Sequence, residues 1–377
     1  MKTKSFKAAF VVTFIIMLLT PLLSTDLRNG AVSVEENRML ADRPPLSSIN
    51  HPRTFIKDFN KWFDDHVGFR EKFISLYRIF NKLQRKGPQY REGNLTYITG
   101  KKGHHFFTGY NNEMTAKFSG KPIFSDKQLE TFAQKLKTVK SFLDKEGILL
   151  IVMFCTDKES VYPEYYPESI RQGPEPIQLD FITDYLKNNA SIDVFNIRRA
   201  LLDQKGRYPL YPKGPLGDLT HYNEIGAFFA YRELLEHVNV YFPEIAPLSL
   251  DDIDISCDEN GTAGISLIKE PSYKKLDAGF FDAVNVFRPL DNLDEAFENT
   301  CADTPTILFL GDSYMGHNGK FISKYIAQNF GRVIFFNFRN IKNLPQYIST
   351  FSPGIVVLET AERQIGGFFH NLNRLTL

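Results

Sequence analysis

The chain has 377 residues, with 45 Lys and Arg against 44 Asp and Glu and a formal net charge of +1. That balance excludes the strongly basic footprint of a nucleic-acid-binding surface, and a hydrophobic content of 43% excludes a disordered chain. The length fits one large α/β domain with additions, or two smaller domains, and three cysteines do not make a disulfide framework.

At the amino terminus Lys2, Lys4 and Lys7 precede an uncharged apolar run from Ala8 to Leu23. Positive charge on that side holds the end in the cytoplasm and directs the remainder outward. The run falls short of the ~20 residues of a comfortable span, yet exceeds the core of a typical signal peptide, and no clear small-x-small cleavage site follows. Residues 1–25 therefore read as a signal anchor in preference to a cleaved signal peptide, with 8–23 in the membrane. Disulfides persist outside the cytoplasm, so Cys257 and Cys301 can pair there, leaving Cys155 as the odd thiol.

Residues 26–90 read as a polar tether, ending in Pro44-Pro45, followed by amphipathic helices. Phe55, Phe59, Trp62, Phe63, Phe69, Phe73, Leu76 and Phe80 recur at mostly three- and four-residue steps, which makes one broad aromatic face. Such a face packs on a main domain; the alternative is that it holds lipid or a partner.

Residues 91–377 carry the pattern of the main domain. His104-His105 invites a metal hypothesis, but neighbours on a strand point to opposite faces and no acidic or cysteine set accompanies them. No metal or cofactor is expected. A helix from Ser125 to Glu146 stops at Gly147, and Ile148–Phe154 reads as a strand buried on both faces. The charged stretch Thr156–Glu164 after it is either functional or a helix cap. Helix Ile177–Asn188 and strand Asp193–Ile197 continue the alternation, which predicts right-handed βαβ units and a parallel sheet. The breaker-rich loop Gly214–Asn223 enters the helix Ile225–Val238, and about 241–304 reads as a polar insertion. Strand Thr306–Leu310 then runs into Gly311-Asp312-Ser313. Helix Lys320–Asn329, strand Val333–Phe338, helix Ile341–Phe351 and strand Ile355–Leu358 follow, with Glu359-Thr360-Ala361-Glu362-Arg363 at the last strand's end.

Ser313 thus stands at the carboxyl end of a buried strand, where open α/β sheets place ligands. Gly311 is read as permitting the sharp turn, and a helix opening at Ser313 would aim its amide at a developing oxyanion. A serine hydroxyl needs a histidine to take its proton, oriented in turn by a carboxylate. Eight histidines are present. His221 lies in Asp218-Leu219-Thr220-His221, where an acid three residues earlier meets it if the loop bends into a helical turn. Otherwise Asp218 caps the helix and His221 bonds to backbone. His317, one helical turn after Ser313, is the other candidate base, without an evident carboxylate partner.

Gly-Asp-Ser after a strand together with Asp-x-x-His entering a helix resembles the SGNH (GDSL-like) hydrolase superfamily. Here the histidine motif precedes the serine, as if the sheet were circularly permuted. That order, with Glu36-Asn37-Arg38-Met39-Leu40-Ala41, His66-Val67-Gly68-Phe69-Arg70, Lys158–Glu164, Thr220–Ala227 and Glu359–Arg363, resembles the AlgJ/AlgX family of alginate O-acetyltransferases and related DHHW-type proteins. The resemblance implies a flavodoxin-like three-layer sandwich with a central parallel sheet, behind an N-terminal membrane anchor. It implies Ser313 as nucleophile, His221 as base and Asp218 as its orienting acid in an acyl-enzyme mechanism on an exported polysaccharide such as alginate. It further implies a bacterial inner-membrane location with a periplasmic or extracellular domain, and a membrane-bound O-acyltransferase partner supplying acetyl groups. Lys158, Arg339 and Arg363 lie at or near strand ends, as holders of an anionic polymer or as structural ion pairs. This chain departs from the family at Leu219, where an acid is usual, and at Tyr222, where Trp is usual. The strand ending at Leu358 lacks the Gly-x-Asn-Asp block, which leaves Arg363, a backbone amide, or the Ser313 amide with another donor to build the oxyanion hole. Two rival functions share these residues: a carbohydrate acetylesterase, and an inactive scaffold of an envelope-polysaccharide assembly.

Overall fold

The computed structural model describes residues 2–27, 32–33, 38–70, 72–73, 76, 89–92, 95–109, 113–214, 220–258, 262–276, 280, 295–316 and 322–377. The chain divides into two compact units, Met1–Ile98 and Thr99–Leu377.

The larger unit is built on a seven-stranded sheet. Its strands are β1 (Leu149–Cys155), β2 (Asp193–Asn196), β3 (Tyr273–Lys275), β4 (Glu295–Asn299), β5 (Thr306–Gly311), β6 (Arg332–Asn337) and β7 (Ile355–Ala361). Their order is β3-β4-β6-β5-β7-β1-β2. From β6 to β2 every neighbour is parallel, whereas β3 and β4 add to the β6 edge antiparallel. The sheet is therefore mixed. Its parallel part follows from the apolar runs, because strands covered on both faces need apolar side chains at every position. The antiparallel strands come from the polar insertion, where charged residues such as Lys274, Glu295 and Glu298 hide the strand pattern.

Alternation assigns the two faces. Leu150, Val152 and Phe154 of β1, with Leu308 and Leu310 of β5, enter one core with Phe132, Leu136, Leu179, Ile182, Tyr347 and Phe368. Those partners lie on α1 (Asp126–Lys145), α2 (Gln178–Ala190), α5 (Leu344–Phe351) and α6 (Ile365–Asn373). Helix α1 starts with a Ser125/Gln128 capping box and buries Leu129, Phe132, Leu136, Val139 and Leu143 at helical spacing. On the other face α3 (Glu224–Asn239) packs on α4 (Ile322–Asn329), with the rings of Phe228 and Tyr325 5.4 Å apart. The result is the three-layer arrangement, with β5 at the middle of the sheet.

In the insertion, Ile253–Cys257 and Ala263–Leu267 pair as an antiparallel hairpin. Cys257 and Cys301 are exposed free thiols, so the pairing expected of them does not form. Residues 281–294 lie outside the described residues.

The smaller unit contains the helix Lys2–Leu23, interrupted by Pro21 near its end, and the helix Pro52–His66. Among the described residues, no helix is long and apolar enough to cross a membrane. Phe10, Ile16, Met17 and Leu23 are exposed, and so are Ile56, Phe59, Phe69, Phe73 and Leu76. Trp62 and His66 are buried, and Phe55 and Phe63 are half-buried. The ring of His66 holds the start of the unit together, with Nδ1 2.8 Å from the Asp26 carbonyl and Nε2 2.9 Å from that of Ala41. The motif residues Glu36 and Asn37 lie outside the described residues.

Candidate active site

Strand β5 delivers Gly311, Asp312 and Ser313 to the carboxyl edge of the sheet. Gly311 is required for space. A Cβ there would stand 2.6 Å from Glu359 Oε2 and 3.1 Å from Met315 Cγ, and positive-φ glycines occur elsewhere in the chain, not here. Beyond the last ladder pair, side chains replace backbone pairing. The Asp312 N–H donates to Glu359 Oε2 (2.8 Å), and the Ala361 N–H donates to Asp312 Oδ2 (2.8 Å). Asp312 Oδ1 accepts from the Tyr314 N–H at 2.9 Å. Asp312 is thereby a structural clasp between β5 and β7. Ser313 sits in a turn; the next described helix begins only at Ile322, so turn amides take the place expected of a helix amino terminus.

His221 arrives from the other side, on the loop that enters α3. Asn223 fixes that entry, its side-chain oxygen accepting from the Ile225 and Gly226 N–H groups at 3.0 Å each. Gly226 allows the loop to close, since a Cβ there would lie 2.5 Å from the Leu210 carbonyl oxygen. His221 Nε2 is 2.7 Å from Ser313 Oγ, and His221 Nδ1 is 2.8 Å from Thr220 Oγ1. With Nδ1 protonated and donating to Thr220, Nε2 is free to accept the serine proton. Asp218 and the alternative base His317 lie outside the described residues.

Behind this pair lies a buried polar layer. Arg363 Nη1 donates to the Thr220 carbonyl (3.0 Å), to the Tyr314 hydroxyl (2.8 Å) and to Asp157 Oδ1. The Tyr314 hydroxyl donates to the same Thr220 carbonyl at 2.6 Å. The Asp157 N–H in turn donates to Glu362 Oε2 at 3.0 Å, and Ser160 Oγ donates to Glu362 Oε1 at 2.9 Å. Burial, and then the charge of Asp157, push the Glu362 carboxyl up to about 8. Burial followed by the charges of Asp157 and Glu362 drives Glu159 well above the usual range. Glu359 rises likewise, from burial and the charge of Asp312. Burial thus favours the neutral form of all three acids, packed beside one guanidinium. The Cys155 thiol beside them is pushed well up by burial and by Glu359, which removes it as a nucleophile.

Of the three cations expected near strand ends, two are inside the fold. Lys158 is 3% exposed, and its Nζ donates to the carbonyls of His105 (2.7 Å), Lys213 (3.2 Å) and Pro212. Burial lowers its ammonium to about 7. Arg363 is equally occupied, as described above. Arg339, just past β6, is exposed, with its own N–H donating to Asn337 Oδ1 at 2.9 Å. His104 is buried, stacked on Tyr165 at 4.1 Å and lowered to about 3 by burial and Lys158. Among the described residues no His/Cys/Asp/Glu group suits a metal ion.

A family profile described as the SGNH hydrolase-like domain of the acetyltransferase AlgX matches residues 113–249, which include β1, β2 and the His221 loop. Over those residues the chain is similar to that acetyltransferase domain. Its fold is shared by solved structures of low identity. A DHHW family protein from Eubacterium siraeum superposes with a TM-score of 0.51 at 13% identity, covering 77% of this chain and 98% of its own. PatB1 from Bacillus cereus gives 0.51 at 15%, covering 73% and 99%, and the same protein with a sulfonyl adduct gives 0.50 at 16%, covering 72% and 98%. No curated protein sequence matches significantly. The chain places its histidine motif before its serine motif, and the strand order explains how. Strand β5 lies next to β7, which lies next to β1, so late and early segments meet at one edge.

Asp157, Glu359 and Glu362 lie in charged stretches singled out in the sequence without individual roles, and Tyr314 was not singled out. The only signal was polar residues directly after the buried strands β1 and β7, and nothing distinguished Tyr314 from any aromatic in a turn.

Proposed function

We propose that this chain is an O-acetyltransferase that moves acetyl groups onto hydroxyls of an exported polysaccharide through an acetyl-Ser313 intermediate. The observation that carries the reading is the 2.7 Å contact between His221 Nε2 and Ser313 Oγ at the carboxyl edge of an α/β sheet. Ser313 Oγ attacks the acetyl carbonyl as its proton passes to His221 Nε2, and the leaving group departs with that proton. A sugar hydroxyl then gives its proton to the same nitrogen and attacks the acetyl-serine carbonyl; the bond to Ser313 Oγ breaks as His221 Nε2 returns that proton to it, which regenerates Ser313. Asp218, at the start of the histidine loop, orients His221 and stabilises its charged form, together with Thr220. Turn amides around Ser313 receive the oxyanion, each such donor contributing about 3 kcal/mol. Arg339, exposed just past β6, is the cation of the three that we assign to an anionic acceptor.

The setting follows from the amino terminus. Three lysines followed by an apolar helix with exposed side chains support membrane attachment and a working domain outside the cytoplasm of a bacterium. A membrane-bound O-acyltransferase is the partner that this location requires, because acetyl groups must be carried across the bilayer.

The test is to incubate the full chain in detergent with an acetyl donor and a panel of oligosaccharides. Sugar-dependent acetyl transfer that vanishes in Ser313→Ala is the expected result. Acetate release indifferent to the sugar would make the protein an esterase. Polymer acetylation unchanged by Ser313→Ala would make it a scaffold.

A further inference from the structure

The catalytic contact has a second contact running beside it. Ser313 and Tyr314 are neighbours in the chain, as are Thr220 and His221. Ser313 Oγ meets His221 Nε2 at 2.7 Å, and one residue along on each side the Tyr314 hydroxyl meets the Thr220 carbonyl at 2.6 Å. The two connections tie the nucleophile turn to the histidine loop twice.

We infer that Tyr314, Arg363 and Asp157 form a positioning brace that sets the orientation of His221 toward Ser313. The inference rests on the catalytic reading above for its function, and on the geometry alone for its existence. Arg363 lies over the Tyr314 ring, 4.7 Å from its centroid, and reaches past it to the Thr220 carbonyl at 3.0 Å. Asp157 stands on the far side, ion-paired to Arg363 and 3.1 Å from the Tyr314 hydroxyl. Asp157 is fixed through its own N–H by Glu362. Tyr314 and Asp157 are buried, and the Arg363 side chain is 10% exposed. A buried ion pair adds little to stability by itself, because desolvation consumes the Coulombic gain. Here the surplus donors of the guanidinium and the tyrosine converge on a single carbonyl, that of the residue before the base. Holding it fixes where the His221 backbone begins, and with it the direction in which Nε2 points. A displacement of ~1 Å at such a point costs on the order of 10²-fold in rate. The three side chains are positioning residues; none touches the reacting atoms.

The test compares Tyr314→Phe, which keeps the ring and removes the hydroxyl, with Arg363→Lys, which keeps the charge and removes the planar reach. Three readouts are taken on the full chain. One is the split of acetyl transfer into kcat and KM. Another is the rate at which a small sulfonyl fluoride modifies Ser313. The last is the imidazole nitrogen NMR signal of His221, which reports tautomer and hydrogen bonding without turnover. A cooperative thermal transition at the wild-type temperature in Tyr314→Phe establishes that variant as folded. Expected are a kcat lowered on the order of 10²-fold with KM unchanged, sulfonylation slowed in parallel, and a His221 signal split between tautomers. Wild-type kcat, sulfonylation and His221 signals in both variants would overturn the brace. A disturbed His221 signal in both variants, in a protein whose wild type transfers no acetyl group, supports the brace and refutes the functional reading.

Discussion

Gly311 shows how a residue legible in sequence can be there for a different reason. A glycine before the serine reads as a turn residue, yet what it provides is room for the buried Glu359 carboxyl, 2.6 Å from where a Cβ would be. Glu359 cannot retreat without releasing the Asp312 N–H. Gly311→Ala is therefore expected to destabilise the chain by roughly 1–3 kcal/mol, the range for overpacking a well-filled site, measured by denaturant unfolding. The acids behind the site are all shifted upward by burial. Glu362 has its folded value raised to about 8 from 4.5. Between those values the folded chain keeps a proton that the unfolded chain has lost, so stability falls as pH rises through that window. Glu159 and Glu359 act in the same direction. Lys158, lowered to about 7 from 10.5, acts oppositely at higher pH, where the unfolded chain holds the extra proton. Melting temperature should thus decline from pH ~4.5 to ~8, and Glu362→Gln should flatten that decline. An unchanged slope in Glu362→Gln would remove Glu362 from the account.

The strands β1, β5, β6 and β7 were legible as apolar runs because burial on both faces leaves no polar position. The helices α1 and α3 were legible from their spacing. Strands β3 and β4 were not, since charged side chains such as Lys274 and Glu298 occupy an antiparallel edge that looks like loop in sequence. The histidine loop was legible through Asp218-x-x-His221, whereas its fastening was not. Lys158 and Arg363 read as holders of an anionic polymer or as structural ion pairs, and only the folded chain shows them donating to carbonyls of the loop and its flanks. The loop's entry into α3 rests on Gly226 against the Leu210 carbonyl. Gly226→Ala should push the loop away from Leu210 and lower acetyl transfer more than it lowers the melting temperature. Equal transfer rates in the variant and the wild type would show the loop position to be tolerant.

At the scale of the whole molecule, the sheet order brings a serine motif from the last third of the chain beside a histidine motif from its middle. Sequence order alone made this look like a permutation, and the adjacency of β5, β7 and β1 is its physical form. Taken by itself, the smaller unit carries exposed apolar side chains, among them Phe10, Leu23, Ile56, Phe59, Phe69 and Leu76. A helical periodicity reports that a face is apolar without reporting what covers it. If that surface is held at a bilayer, Phe59→Ser with Phe69→Ser should weaken recovery of the chain in the membrane fraction while leaving acetyl transfer in detergent intact.

The central claim is that Ser313, activated by His221, carries the acetyl group. The most direct measurement is to mix the full chain with an activated acetyl ester, quench in acid and locate the label by peptide mass spectrometry. The expected result is an acetyl group on Ser313 in the wild type, discharged by an accepting oligosaccharide and absent in His221→Gln. Turnover of the ester with no acetyl group on Ser313, or the same turnover in Ser313→Ala, would contradict it.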